Sequence, residues 1–449
     1  MVTGPTAGSG PHRVMEQRPT TVGSVVTPWG DTSELRTRRL LPGSGTPREE
    51  VVRNQRERLF GAVVAVASER GYEETTVAQV IDACGVSRSD FYKHFANKAD
   101  CLVQAADALL GPTLRELENV HGTTESRGPE AALLKFLQLV EAQPAAARIC
   151  FVELHATGAP GEAVAERCFG TFCEQIEAVA PAPPGGQRDQ DWTRILLGGI
   201  CKLVQTRLYR RQERELAALG PELWAWLASV RPPPEGLERP RRQRSHAGAR
   251  FAGYTPAERI AQAVANVVAE KGYGAMNVDD IAAQAAISLT TFYEHFADKQ
   301  DAMLAAVEMS GAQMMASAVP AARRAGDWQE GVRALLEAMC AYFVAEPAMA
   351  RLATVGVYEA GLQALSRRDR VIDSMAEMLA PGFEENPAAP AVAPEAAAAT
   401  VYALVREQVR KNGPASLAAV VPLATYITLV GFVGPERACA VANGALRRR

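Results

Sequence analysis

Ser89 and Lys93 stand one helical turn apart in the stretch Ser87-Arg88-Ser89-Asp90-Phe91-Tyr92-Lys93-His94-Phe95. At 3.6 residues per turn they project roughly opposite Phe91 and Phe95, so a helix here has an apolar inner face and a polar, hydrogen-bonding outer one. Such an outer face suits the major groove of a duplex, where Ser, Thr, Arg and Asn can reach base edges and Lys or Tyr can reach phosphates. Catalysis is a poorer fit. The chain has no Gly-x-Ser-x-Gly, no phosphate-cradling glycine loop and no His-Glu-x-x-His, and its Ser, His and Asp residues fall at no interpretable spacing. The eight cysteines, at 84, 101, 150, 168, 173, 201, 340 and 439, form no Cys-x-x-Cys pair and have no His at zinc-ligand distance. They read as buried reduced thiols, and no enzymatic activity, cofactor or metal is expected.

The elements that must position this face are legible nearby. Leu59, Ala62, Val63 and Val66 fall at helical spacing and Gly71 follows Arg70 as a stop, which predicts a first amphipathic helix over 58–70. Thr75 or Thr76 can cap a short second helix whose Val77, Val80 and Ile81 make one apolar face. Cys84-Gly85-Val86 then turns the chain, Gly85 permitting a positive φ, and Ser87 caps the third helix. Helix, tight turn, helix is the helix-turn-helix pattern.

The whole arrangement occurs twice. Residues 58–102 align without a gap on 259–303 at a constant offset of 201, pairing Gly71-Tyr72 with Gly272-Tyr273 and Ser87 with Ser288. The same register pairs Phe91-Tyr92-x-His94-Phe95-Ala96-x-Lys98 with Phe292-Tyr293-x-His295-Phe296-Ala297-x-Lys299. A fainter match follows at an offset of 203, with Gln143-Pro144 and Arg148 against Glu346-Pro347 and Arg351, so the repeated unit is about half the chain.

These residues resemble the TetR family of transcriptional regulators, whose signature is a Thr-capped second helix, a Gly-Val-Ser turn and a Phe-Tyr-x-His-Phe-x-x-Lys ending. The resemblance implies an all-α chain of two tandem units, each a three-helix DNA-binding domain followed by a helical domain that binds small ligands and dimerises. Carried over by position, it implies DNA contacts by Thr76, Ser87, Arg88, Ser89, Tyr92, Lys93, His94 and Lys98. In the second copy they fall to Asn277, Ser288, Leu289, Thr290, Thr291, Tyr293, His295 and Lys299. The second copy departs from the pattern where Ala286 replaces the turn glycine, Leu289 replaces Arg88 and Glu294 replaces Lys93. Residues 288–296 are therefore net -1 where 87–95 are net +1, and a carboxylate facing a phosphate backbone costs affinity.

Length and composition agree. The 449 residues are 47% hydrophobic and 22% charged with a net charge of -3, which fits several globular domains and excludes a uniformly basic chain but not basic patches. Each copy has an Arg-rich arm upstream, residues 36–58 and 231–259, each net +4. The expected organisation is a disordered basic leader (1–48), a helix-turn-helix domain (49–105), a helical regulatory domain (106–232), a linker (233–252), a second helix-turn-helix domain (253–306) and a second regulatory domain (307–449). No apolar run reaches the length of a membrane span and residues 1–45 hold no signal-peptide core, so a cytoplasmic protein, nucleoid-associated when bound, is expected.

In the regulatory domains, apolar runs before Pro144 and Pro347 and helices over 149–155 and 352–358 could line a cavity; Phe136, Phe151, His155, Met339, Phe343 and Tyr358 are the candidate pocket residues. Helices over 192–211, 396–411 and 415–430 occupy the positions where TetR-like proteins dimerise. The expected function is a ligand-responsive repressor with double-stranded DNA and a small apolar or amphipathic effector as partners, working as an intramolecular pseudo-dimer or a homodimer. The alternative is a helical ligand- or protein-binding scaffold whose second DNA-binding unit is degenerate.

Overall fold

The computed structural model describes residues 24–40, 45–119, 128–179, 190–238 and 254–444. They are almost wholly helical. The first unit runs through α1 (Arg48–Arg70), α2 (Val77–Cys84), α3 (Arg88–His94), α4 (Lys98–Asn119), α5 (Pro129–Ala142), α6 (Pro144–Phe151), α7 (Ala159–Val179), α8 (Gln190–Tyr209) and α9 (Gly220–Ser229). The second runs through α10 (Pro256–Lys271), α11 (Val278–Ala285), α12 (Leu289–His295), α13 (Lys299–Arg323), α14 (Trp328–Ala345), α15 (Pro347–Arg351), α16 (Val357–Glu359) and α17 (Gly361–Glu377). It ends with α18 (Gly382–Glu385), α19 (Ala393–Asn412), α20 (Val421–Val433) and α21 (Pro435–Ala442).

Local chemistry sets most of these boundaries as expected, although α1 starts at Arg48, upstream of the expected Arg58. Gly71 and Gly272 stop α1 and α10 at φ 89° and 80°. Thr76 caps α2 through a reciprocal box with Gln79, and Asn277 does the same for α11 with Asp280. Gly85 sits in the left-handed region at φ 64°; Ala286, its counterpart, holds φ 54° with a Cβ that this region disfavours. Asn97 accepts the Asp100 amide at 2.9 Å and Asp298 the Asp301 amide at 2.9 Å, so both cap the helices that carry Lys98 and Lys299.

Three expectations need correction. Part of the stretch read as a disordered leader is folded: β1 (Val26–Thr27) and β2 (Gly30–Asp31) form a small antiparallel hairpin, and Leu35 is fully buried against Gly61 of α1. Trp29 extends the aromatic row of Phe60 and Phe95, its ring centroid 5.1 Å from that of Phe60, and this burial outweighs the polar composition around it. Residues 1–23 lie outside the described residues, as do most of the residues read as the linker. The helix expected over 149–155 is broken: α6 ends at Phe151 and a 3-10 turn follows over Glu153–Thr157. Its counterpart passes through a π turn over Leu352–Gly356.

By helix length and mean hydropathy, though not by any unbroken apolar run, two stretches among the described residues, Lys299–Arg323 and Pro414–Val433, are long and apolar enough to cross a membrane. Both are core elements, with Met303, Met314, Tyr426, Ile427 and Leu429 buried among neighbouring helices.

The two units pack on each other mainly through α8 and α19. Gly199 makes that approach possible: a Cβ there would lie 2.8 Å from Thr400 Cα. A buried polar network crosses the same seam. Asp369 of the second unit accepts from Lys202 Nζ at 2.7 Å, Thr206 Oγ1 at 3.0 Å and Tyr209 Oη at 2.5 Å, all in the first unit. Arg207 forks onto Glu395, and Arg406 pairs with Glu162 at 2.7 Å. Tyr426 reaches across as well, its hydroxyl donating to the Arg231 carbonyl at 2.8 Å.

Candidate nucleic-acid interface

Each helix-turn-helix is held by an aromatic lock. Phe91 and Phe95 are buried beneath α3 with ring centroids 5.7 Å apart, and Phe292 and Phe296 repeat the pair beneath α12 at 6.0 Å. With the inner face so fixed, the opposite face must meet solvent. Thr76, Ser87, Arg88, Ser89, Tyr92 and Lys93 are exposed, as are Asn277, Ser288, Leu289, Thr290, Tyr293 and His295; Thr291 is half-buried. Tyr92 is 52% exposed, Tyr293 58% and Leu289 44%, and with Val26 and Val52 they are the exposed large hydrophobics among the described residues.

The hydroxyls at the helix starts are already engaged. Ser87 Oγ accepts the Asp90 amide and donates to Asp90 Oδ2 at 2.8 Å; Ser288 Oγ accepts the Thr291 amide at 3.0 Å. Asp90 also pairs with Lys93 at 2.7 Å, and the hydrogen bonds from Lys93 and Ser87 hold its carboxyl below the usual range. Lys93 keeps 69% of its side chain in water, so its ammonium can turn outward. Glu294 and Thr291 replace this pair in the second copy.

Three expected contacts, Lys98, Lys299 and His94, are placed differently. Lys98 Nζ donates to the carbonyls of Tyr72 at 2.9 Å and Glu73 at 3.2 Å and lies 4.2 Å from the Tyr72 ring centroid. Burial lowers its pKa, with Glu73 opposing. Lys299 repeats the arrangement on the Tyr273 and Met276 carbonyls and the Tyr273 ring, 4.7 Å away. Both lysines tie the loop after the first helix to the start of the fourth. His94 is half-buried with Nε2 3.0 Å from Gln55 Oε1, and burial followed by the nearby Arg56 lowers its pKa; His295 is exposed.

The upstream arginines are partly structural too. Arg58 is buried, donating to the Leu35 carbonyl at 2.7 Å and to the Cys84 carbonyl, and Arg36 bridges to the Asp82 carbonyl at 2.7 Å. Arg39, Arg48 and Arg53 are exposed.

Sequence reading missed a matched pair of carboxylates. Glu153, at the start of the 3-10 turn of the first regulatory domain, accepts the Tyr72 amide at 2.6 Å, and Glu359 accepts the Tyr273 amide at 2.8 Å. Each joins a regulatory domain to the loop that leads into its helix-turn-helix. Burial, opposed by the Tyr72 hydrogen bond, raises Glu153 to about 7.

The expected pocket residues divide. Met339 and Phe343 border a cavity of about 70 Å³ in the second unit. Phe136 and Phe151 instead pack with Phe172 in the first unit's core, because three phenyl rings fill the space between α5, α6 and α7. His155 and Tyr358 lie between the units, ring centroids 5.1 Å apart.

The family model described as "Bacterial regulatory proteins, tetR family" matches residues 60–105 and again 260–307. Over 81 residues the chain is 25% identical to the "Uncharacterized HTH-type transcriptional regulator YerO" of Bacillus subtilis (strain 168), a match over 18% of this chain and 28% of that protein. The chain thus matches under a third of that relative's length. Among solved structures, it is similar to the fatty acid degradation regulator FadR from Bacillus halodurans, with 20% identity, a TM-score of 0.36 and coverage of 39% of this chain and 94% of that one. It is also similar to the transcriptional regulator FadR from Bacillus subtilis in complex with stearoyl-CoA, with 20% identity, a TM-score of 0.33 and coverage of 38% and 95%. Both family-model matches begin in the first helix of a unit and end in its fourth, so each unit opens with a helix-turn-helix segment similar to that family's.

Proposed function

We propose that this protein is a cytoplasmic DNA-binding transcriptional regulator, not an enzyme, in which the two helix-turn-helix units of one chain read the two halves of one operator. The observation that carries it is the pair of outward faces on α3 and α12, each exposing a tyrosine and a row of polar side chains above a buried phenylalanine pair. Packing of α8 on α19 supports use of the two faces together, since it supplies within one chain the pairing that other two-fold regulators obtain from two. Because Arg88 and Lys93 are replaced by Leu289 and Glu294 at the aligned positions of the other copy, the two half-sites differ and the first carries most of the discrimination. Binding of a small apolar or amphipathic effector to a regulatory domain shifts the spacing of the two reading helices and so releases a repressed promoter.

Gel shifts and footprinting on the DNA upstream of the protein's own coding sequence test this reading. One chain per operator and an unequal two-lobed footprint are expected; absence of sequence-dependent binding would overturn it. The exposed Glu294 favours a second reading, in which the second unit is a structural partner and only the first half-site is protected.

A further inference from the structure

The two regulatory domains are not equivalent inside. Their register is well determined: Gly158 and Gly361, offset by 203, both take positive φ of 75° and 80°, the first just before α7 and the second as the opening residue of α17. The ion pairs Arg167–Asp107 and Arg370–Glu308 bind those helices to α4 and α13 in the same way. At that offset Phe136, Phe151 and Phe172 correspond to Met339, Thr354 and Met375. In the first unit the three phenyl rings close on one another, with Phe136 and Phe172 centroids 4.6 Å apart. In the second unit all three counterparts border the 70 Å³ cavity. Methionine side chains adapt to a guest far more readily than phenyl rings do.

One wall of that cavity is charged. Arg368 borders it and its side chain is only 4% exposed. Nε donates to Asp369 at 2.5 Å and Nη1 to the Tyr402 hydroxyl at 2.5 Å, while Nη2 has no hydrogen-bond partner. A buried donor left unmatched is costly, more so on a cation. The surrounding network is also unbalanced. Among the described residues, the carboxylates paired with Lys202, Arg368 and Arg406 are Asp369 and Glu162, the latter also bonded to His155, so these ion pairs leave one positive charge in excess. One further anion would balance it.

We propose that the chain holds one effector per two units, an amphiphile with an anionic head bound to Arg368 and an apolar tail among Met339, Met375 and Phe343, and that the first unit holds none. This rests on the regulatory reading above and names the ligand class and its single site. Tail entry needs the methionines to move, which makes the cavity larger when occupied.

Calorimetry on the full chain without DNA tests it, with octanoate, octanol and octylamine as probes of equal tail length. Octanoate is expected to bind one per chain, at least tenfold more tightly than octanol, with octylamine excluded. Arg368→Lys should keep the preference for the acid, and Arg368→Met should abolish it. Because Arg368→Met can disturb Asp369, a second variant leaves the charges intact: Met339→Phe with Met375→Phe copies the first unit's filling and should abolish binding of both octanoate and octanol. Two octanoates per chain, equal affinity for acid and alcohol, or no octanoate binding at millimolar concentration would overturn the proposal. No DNA is present in these titrations, so their failure leaves the operator reading standing, and a failed gel shift leaves this one standing.

Discussion

The Glu153 carboxylate accepts the backbone amide of Tyr72 at 2.6 Å, and through that bond the segment after α6 grips the loop that precedes a helix-turn-helix. Burial raises Glu153 from the usual 4.5 to about 7, against the pull of the Tyr72 bond. A carboxyl raised on folding favours the protonated form, so its contribution to stability is complete below about 4.5 and is lost as pH rises through about 7. Glu153→Gln keeps an acceptor for Tyr72 and does not titrate. Thermal melts at pH 5 and pH 8 should therefore show the wild type losing several degrees more than the variant across that interval; parallel losses would remove Glu153 as the cause.

Lys98 and Lys93 should separate in salt titrations. Lys93 has a mostly exposed ammonium, and each phosphate it neutralises contributes about -0.9 to the slope of log K against log salt. Lys93→Met should flatten that slope by about one unit. Lys98→Met should lower the melting temperature, since the Tyr72 and Glu73 carbonyls lose their donor, and leave the slope unchanged.

Replacing Arg88 with Ala should cost about 1 to 3 kcal/mol of operator affinity if it reads a guanine. Leu289→Ala, at the matching place in α12, should cost well under half as much. Competition binding with operators scrambled in one half at a time assigns each effect to its half-site, and equal costs would remove the asymmetry.

Asp369 anchors the seam between the units. Burial alone would raise its pKa, but Arg368 and Lys202 hold the carboxyl well below the usual range. Asp369→Ala leaves both cations buried without it and should destabilise the fold by about 3 to 5 kcal/mol. Chemical denaturation followed by Trp192 and Trp226 fluorescence measures the loss, because both indoles are buried.

Much of this was legible in the residues themselves. The repeat, Gly85, Ser87 and the Phe91–Phe95 spacing are local signals, and local signals placed the helix-turn-helix and its outward face. Long-range packing left no such mark. Glu153 and Glu359 do the same work yet lie 206 apart where their flanks lie 203 apart, because a 3-10 turn and a π turn wind the two segments differently; alignment cannot pair them. Lys98 looked free because its acceptors are backbone carbonyls, which any sequence supplies. The folded hairpin was hidden by polar composition, its core contribution resting on Trp29 and Leu35 alone.

The close approach of Gly199 to Thr400 joins two halves that are made together, from one message, in a fixed ratio of one to one. Assembly of a two-chain regulator slows and reverses as its concentration falls, whereas halves on one polypeptide meet at an effective concentration that dilution does not change. Operator occupancy should then rise in simple proportion to the number of chains, without the threshold that a pairing step imposes, so a cell holding only a few copies keeps every one of them paired.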